Sequence, residues 1–139
     1  MSVIQRLADF LERLSEETLD EIDVLYAADL EFQDPINKAS SREHLKRIEQ
    51  DLFKQLNDVS FQVSSTQEGE HEGVVVWVMH YKFRIWSRSI NGISHVRWNE
   101  KDEIIFQQDY WDASFGVYGE FPPLGWIMKV IKRFVSVRA

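Results

Sequence analysis

The stretch VVVWVMHYKFRIW, Val74 to Trp86, is the longest mostly apolar run in the chain, and it alternates. Its odd positions, Val75, Trp77, Met79, Tyr81, Phe83 and Ile85, are all apolar or aromatic, while the even ones pass from Val74, Val76 and Val78 to His80, Lys82 and Arg84. Successive strand side chains point to opposite faces, so the run predicts a central strand whose odd face is covered. The half-apolar even face is expected to meet solvent or a second subunit.

Downstream, Asn91-Gly92 separates two strand patterns and predicts a hairpin turn, since both residues tolerate positive φ. Ile93 to Asn99 then pairs back, NEKDE forms an acidic turn, and Ile104 to Asp112 makes a last strand. Upstream, Asp58 to Gln67 alternates weakly as a strand with one wet face, and Glu68 to Glu72 is its turn. Three helices come first. Val3, Ile4, Leu7, Phe10, Leu11 and Leu14 stripe one of them. Thr18 with Glu21 opens a second, which buries Leu19, Ile22, Leu25 and Tyr26, and Ser40 with Glu43 opens a third, with Leu45, Ile48, Leu52, Phe53 and Leu56 on one side. Between the second and third, Leu30 and Phe32 alternate in a short strand that Pro35 stops, leaving the Asp34 carboxylate at its end. Phe121-Pro122-Pro123 precedes a C-terminal helix with Lys129, Lys132, Arg133 and Arg138 and no acid beside them, expected to pack across a pocket mouth, with an anionic membrane surface as the alternative. The order predicts one α+β domain over residues 1–139, a cone-shaped curved antiparallel sheet with helices packed on its concave face.

Composition narrows the function classes. At 139 residues the chain can bury a core without a metal or disulfide. It has no cysteine, which excludes thiolate zinc sites and cysteine nucleophiles. A net charge of -7 argues against nucleic acid, which needs clustered Lys and Arg. No run approaches a membrane span and the N-terminus lacks a signal-peptide pattern, so a cytoplasmic protein without membrane contact is expected. His80 and His95 fall on the outward face, where cross-strand proximity could place them together in a polar pair; two histidines without a nearby carboxylate are too few for a zinc site, and no metal or cofactor is expected.

YAADLEFQDP (Tyr26 to Pro35), a helix opened by SSRE, and DEIIFQQDYWD (Asp102 to Asp112) together resemble the nuclear transport factor 2-like superfamily, specifically its SnoaL-like members. The resemblance implies a conical cavity between the helices and the concave sheet face, and a homodimer through the convex face. Ketosteroid isomerases in that superfamily place a proton-abstracting aspartate where this chain has Asp34; their oxyanion-donating tyrosine and protonated aspartate fall on Phe10 and Ser94. Limonene epoxide hydrolases and SnoaL-type cyclases place a catalytic aspartate at Asp109. The hydrolases' water-positioning tyrosine and asparagine fall on Phe32 and Asp34, and their Arg-x-Asp meets Trp77, Met79 or Tyr81.

Asp34 and Asp109 are therefore the candidate catalytic pair, expected to share one cavity. Period two puts Asp109 on the side of Ile105, Gln107 and Trp111, facing in, with Tyr110 and Asp112 facing out. Candidate ligand-binding residues are Phe10, Tyr26, Phe32, Trp77, Met79, Tyr81, Ser94, Trp98, Gln107 and Trp111, a mostly aromatic set suited to a small apolar or aromatic ligand. Two functions follow: a binding protein for such a molecule, or a cofactor-independent isomerase, lyase or hydrolase using aspartate acid-base chemistry.

Overall fold

A computed structural model describes residues 1–112. The expected C-terminal helix and its packing across the pocket mouth lie outside the described residues. Ser2 caps the first helix, α1 (Val3–Glu12), in a reciprocal box with Gln5, and the stripe from Val3 to Leu14 is buried. The second helical segment is a 3-10 turn over Glu16–Glu21 running into α2 (Ile22–Leu25). Its box uses Ser15 and Thr18 instead of Thr18 and Glu21, and Glu21 pairs with Arg13 at 2.7 Å. α3 (Arg42–Gln55) is capped by Ser41, which accepts from the His44 N–H, one residue beyond the expected Ser40.

The strands are β1 (Tyr26–Gln33), β2 (Lys38–Ala39), β3 (Asn57–Glu68), β4 (Glu72–Phe83), β5 (Trp86–Trp98) and β6 (Ile104–Trp111). They form one sheet in the order β2-β1-β6-β5-β4-β3. β3 to β6 make the expected antiparallel meander, and β1 joins it parallel to β6, so the sheet is mixed. Val75, Trp77, Met79 and Tyr81 are buried on the concave face beneath the helices. The open, curved, helix-covered sheet is the expected α+β cone.

Three readings of this sheet are corrected. The β4–β5 hairpin turns at Arg84-Ile85, with Phe83 opposite Trp86 and Arg84 at φ 58°. Ile85 is thus in the turn, 86% exposed, and does not belong to the covered face. Asn91-Gly92 lies mid-strand, opposite Val78 and Trp77, because any Cβ at position 92 would run into the Trp77 indole. Here glycine gives room to a ring, not a turn. In β6 the pairs Trp98–Ile104 and Arg97–Phe106 leave Ile105 as a bulge, so Ile104 is fully buried while Ile105 faces out.

On the convex face a row crosses three strands from Val76 through Ile93 to Tyr110, the last two exposed. His80 and His95 are both on this side but do not meet. His95 contacts Glu72 at 2.6 Å, and His80 stands opposite Ser89.

Candidate functional site

The concave sheet face and the apolar sides of α1, α2 and α3 do not close completely on each other. Between them lies a cavity of about 230 Å³. The sheet supplies its floor. Ser94 and Asp109 are direct cross-strand partners, Trp77 and Trp111 both pair with Gly92, and Phe32 pairs with Gln107. Register alone therefore brings the inward side chains of four strands into one patch.

These side chains are wired together. The Trp77 indole N–H donates to Ser94 Oγ at 2.9 Å, and Ser94 donates to Asp109 Oδ1 at 2.6 Å. From the other side Tyr26 donates to Gln107 Oε1 at 2.7 Å, and Gln107 Nε2 donates to the same Asp109 Oδ1 at 2.9 Å. Two donor chains thus converge on one carboxylate oxygen, and among the described residues Oδ2 has no hydrogen bond. Trp77 donates only, which orients the serine hydroxyl toward Asp109, and the tyrosine proton fixes which end of the Gln107 amide faces the carboxylate. Edge-to-face packing of Phe61 on Trp77, centroids 5.1 Å apart, holds the indole.

Burial pushes Asp109 up from 3.8 to about 6, against the two donated hydrogen bonds, with the Asp34 charge adding to the rise. The same burial, helped by Asp109 and Glu49, raises Tyr26 and keeps it a neutral donor. Across the cavity stands an acid that the sequence reading passed over. Glu49 on α3 lines the wall with no hydrogen bond or ion pair among the described residues. Burial first, then Asp109 and Asp34, push its carboxyl from 4.5 to about 8. A signal was present: Glu49 interrupts the stripe Leu45, Ile48, Leu52, Phe53 and Leu56, where a charge has no solvent-facing reason to be.

Asp34 also reaches the cavity, so the two predicted aspartates line one space. Its oxygens are engaged locally: Oδ1 accepts from the backbone of Ile36 and Asn37 at 2.8 and 2.6 Å, and Oδ2 from the Asn37 side chain at 3.2 Å. This is a turn-stabilising carboxylate after β1. Phe10, Tyr26, Phe32, Trp77, Met79, Tyr81, Ser94, Gln107 and Trp111 are all in the lining. Trp98 is not. The β5 wall runs from Ile90 to Ser94, and Trp98 lies farther along the strand, its backbone N–H donating to the His71 carbonyl at 3.1 Å. Among the described residues no group of three His, Cys, Asp or Glu is placed to hold a metal, and no helix is long and apolar enough to cross a membrane.

Residues 7–106 match the SnoaL-like domain family. The chain belongs to that family. Solved structures agree on the fold. A hypothetical protein with a ketosteroid isomerase-like fold from Catenulispora acidiphila, in complex with trimethylamine, superposes with a TM-score of 0.69 at 16% identity, over 81% of this chain and 86% of that one. An epoxide hydrolase of the LEH-like type from M. tuberculosis gives 0.68 at 11% identity, over 96% and 95%. An NTF2-like protein of unknown function from Exiguobacterium gives 0.67 at 16%, over 80% and 98%. No curated protein matches the sequence. At these identities the SnoaL-like domain shares an architecture with its neighbours, and its chemistry has to be argued from its own residues.

Proposed function

We propose that this SnoaL-like domain binds a small, largely apolar molecule between α3 and the sheet, with the free oxygen of Asp109 as its polar anchor. The observation that carries this reading is the combination of a cavity of about 230 Å³ with an internally braced carboxylate at its floor. Apolar walls supply affinity and a few fixed polar groups supply orientation, the usual division of labour in a ligand site. Leu52 on α3 faces this space. The neutral dye N-phenyl-1-naphthylamine should bind saturably with a rise in fluorescence, and Leu52→Trp, which fills the cavity, should weaken it by roughly tenfold or more. Equal titrations for the two proteins, both folded by circular dichroism, would place the dye elsewhere and remove the reading.

A second reading rests on the two carboxyls themselves. Asp109 at about 6 and Glu49 at about 8 straddle neutrality in one cavity, which supplies a base and an acid for moving a proton on a bound substrate. The Ser94 and Gln107 donors hold Asp109 so that its other oxygen is the one presented. If turnover occurs, Asp109→Asn should cost roughly a hundredfold, the low end of what a positioned general base contributes. A panel of neutral epoxides and enolisable ketones, followed by mass spectrometry, provides the assay. A wild-type rate no greater than that of Asp109→Asn would leave the binding reading alone.

A further inference from the structure

The direction of every proton on the cavity floor follows from one end of the network. A carboxylate only accepts, so the Ser94 hydroxyl and Gln107 Nε2 both donate to Asp109 Oδ1. The Gln107 amide thereby turns its oxygen to Tyr26, whose hydroxyl has to donate, and the Trp77 indole donates to Ser94 from behind. All of these protons run toward Asp109. Tyr26, Trp77 and Ser94 carry one polar proton each and spend it inside the protein, so among these side chains only the second N–H of Gln107 is left. Asp109 Oδ2 is the opposite case. It accepts from no described residue, and because no buried side-chain oxygen or nitrogen of the described residues lacks a partner, this oxygen of the half-buried Asp109 opens onto accessible space.

We propose that the floor selects its ligand by hydrogen-bond direction, taking an apolar alcohol whose O–H donates to Asp109 Oδ2 in preference to the matching ketone or ether. This rests on the binding reading above and narrows it to a ligand class. A ketone or ether oxygen only accepts, so at Oδ2 it sets lone pair against lone pair and loses its water without recompense, whereas a hydroxyl gains a hydrogen bond to a charged acceptor. A hydroxyl oxygen also accepts, which suits the remaining Gln107 N–H.

Ser94 and Gln107 make this preference reversible by a near-isosteric change. Their two donors converge on one oxygen, so they hold an asparagine at position 109 with its carbonyl toward them and its NH2 toward the ligand. The same floor then donates where it used to accept.

Calorimetry at pH 9 with three compounds on one skeleton tests this: 1-phenylethanol, which donates and accepts, acetophenone, which only accepts, and ethylbenzene, which does neither. That pH lies above the midpoints of Asp109, about 6, and Glu49, about 8, so neither carboxyl supplies a proton to the ketone. The alcohol should bind roughly tenfold or more tighter than the ketone, the scale of a hydrogen bond to a charged group, and the ketone no better than ethylbenzene. In Asp109→Asn, folded by circular dichroism, the alcohol-to-ketone ratio should fall to about one or below. The wild-type ranking needs no substitution, so it decides even if that variant does not fold. A ketone that binds the wild type as tightly as the alcohol, a ratio unchanged in Asp109→Asn, or binding of none of the three while the naphthylamine dye still fills the cavity would overturn the inference and leave the small-molecule reading standing. Failure of the dye and all three compounds to bind the folded wild type would remove both.

Discussion

Replacing Glu49 by glutamine is expected to stabilise the SnoaL-like domain at pH 9 by roughly 2–4 kcal/mol, and to change stability by less than about 1 kcal/mol at pH 4. The sign follows from the direction of the shift. The Glu49 carboxyl rises from 4.5 to about 8 on folding, so the folded chain holds its proton more tightly than the unfolded one. The stability this contributes is complete below 4.5 and is lost as pH rises through about 8, because the unfolded chain ionises freely while the folded one must do so inside the cavity wall. Glutamine has nearly the shape of the protonated acid and never ionises. Urea unfolding of both proteins across this pH range isolates the effect, since every other titrating group is common to the pair. Parallel curves would mean that Glu49 is solvated and that the wall is open.

Gly92→Val should be the most damaging single change on the concave face, destabilising by roughly 3 kcal/mol, the upper part of the range for overpacking a filled site. A Cβ at this position would enter the six-membered ring of Trp77, which is 4% exposed and is held by its bond to Ser94. If the indole swings away, it leaves Asp109 with one donor fewer and occupies cavity space. The variant should therefore lose dye binding even at temperatures where it stays folded. Chemical denaturation and the dye titration measure the two consequences separately. A variant as stable as the parent would show that the β4–β5 register differs from Gly92 opposite Trp77.

How much of this was legible beforehand depended on whether the signal was local. The period-two run around Trp77 and the helical stripes announced the sheet and its cover, because burial of one face leaves its mark every second or every third to fourth residue. Asp109 could be placed facing in by the same alternation, together with Gln107 and Trp111. The misreadings arise where a partner distant in sequence decides. Asn91-Gly92 has the chemistry of a turn, yet the glycine answers the volume of Trp77 on the neighbouring strand, and the chain turns instead at Arg84-Ile85. Counting by twos from Asp109 back to Ile105 fails because one bulge residue switches faces, which no composition rule marks. Trp98 shares the inward face with Ser94, but alternation gives the face without saying how far along it the cavity extends. Glu49 was visible as a charge within an apolar stripe. Helical spacing located it, and only the opposing strands gave it Asp109 as a neighbour.

The account stands on two half-buried carboxyls that line one largely apolar cavity, and carbon-detected NMR titration of the Asp and Glu side chains in the wild-type protein tests this most directly. Glu49 should titrate near 8 and Asp109 near 6. Asp109→Asn should lower the Glu49 midpoint, because one neighbouring negative charge is gone. Midpoints for both groups in the ordinary carboxylate range around 4, unmoved by the substitution, would contradict the paired acids of the cavity.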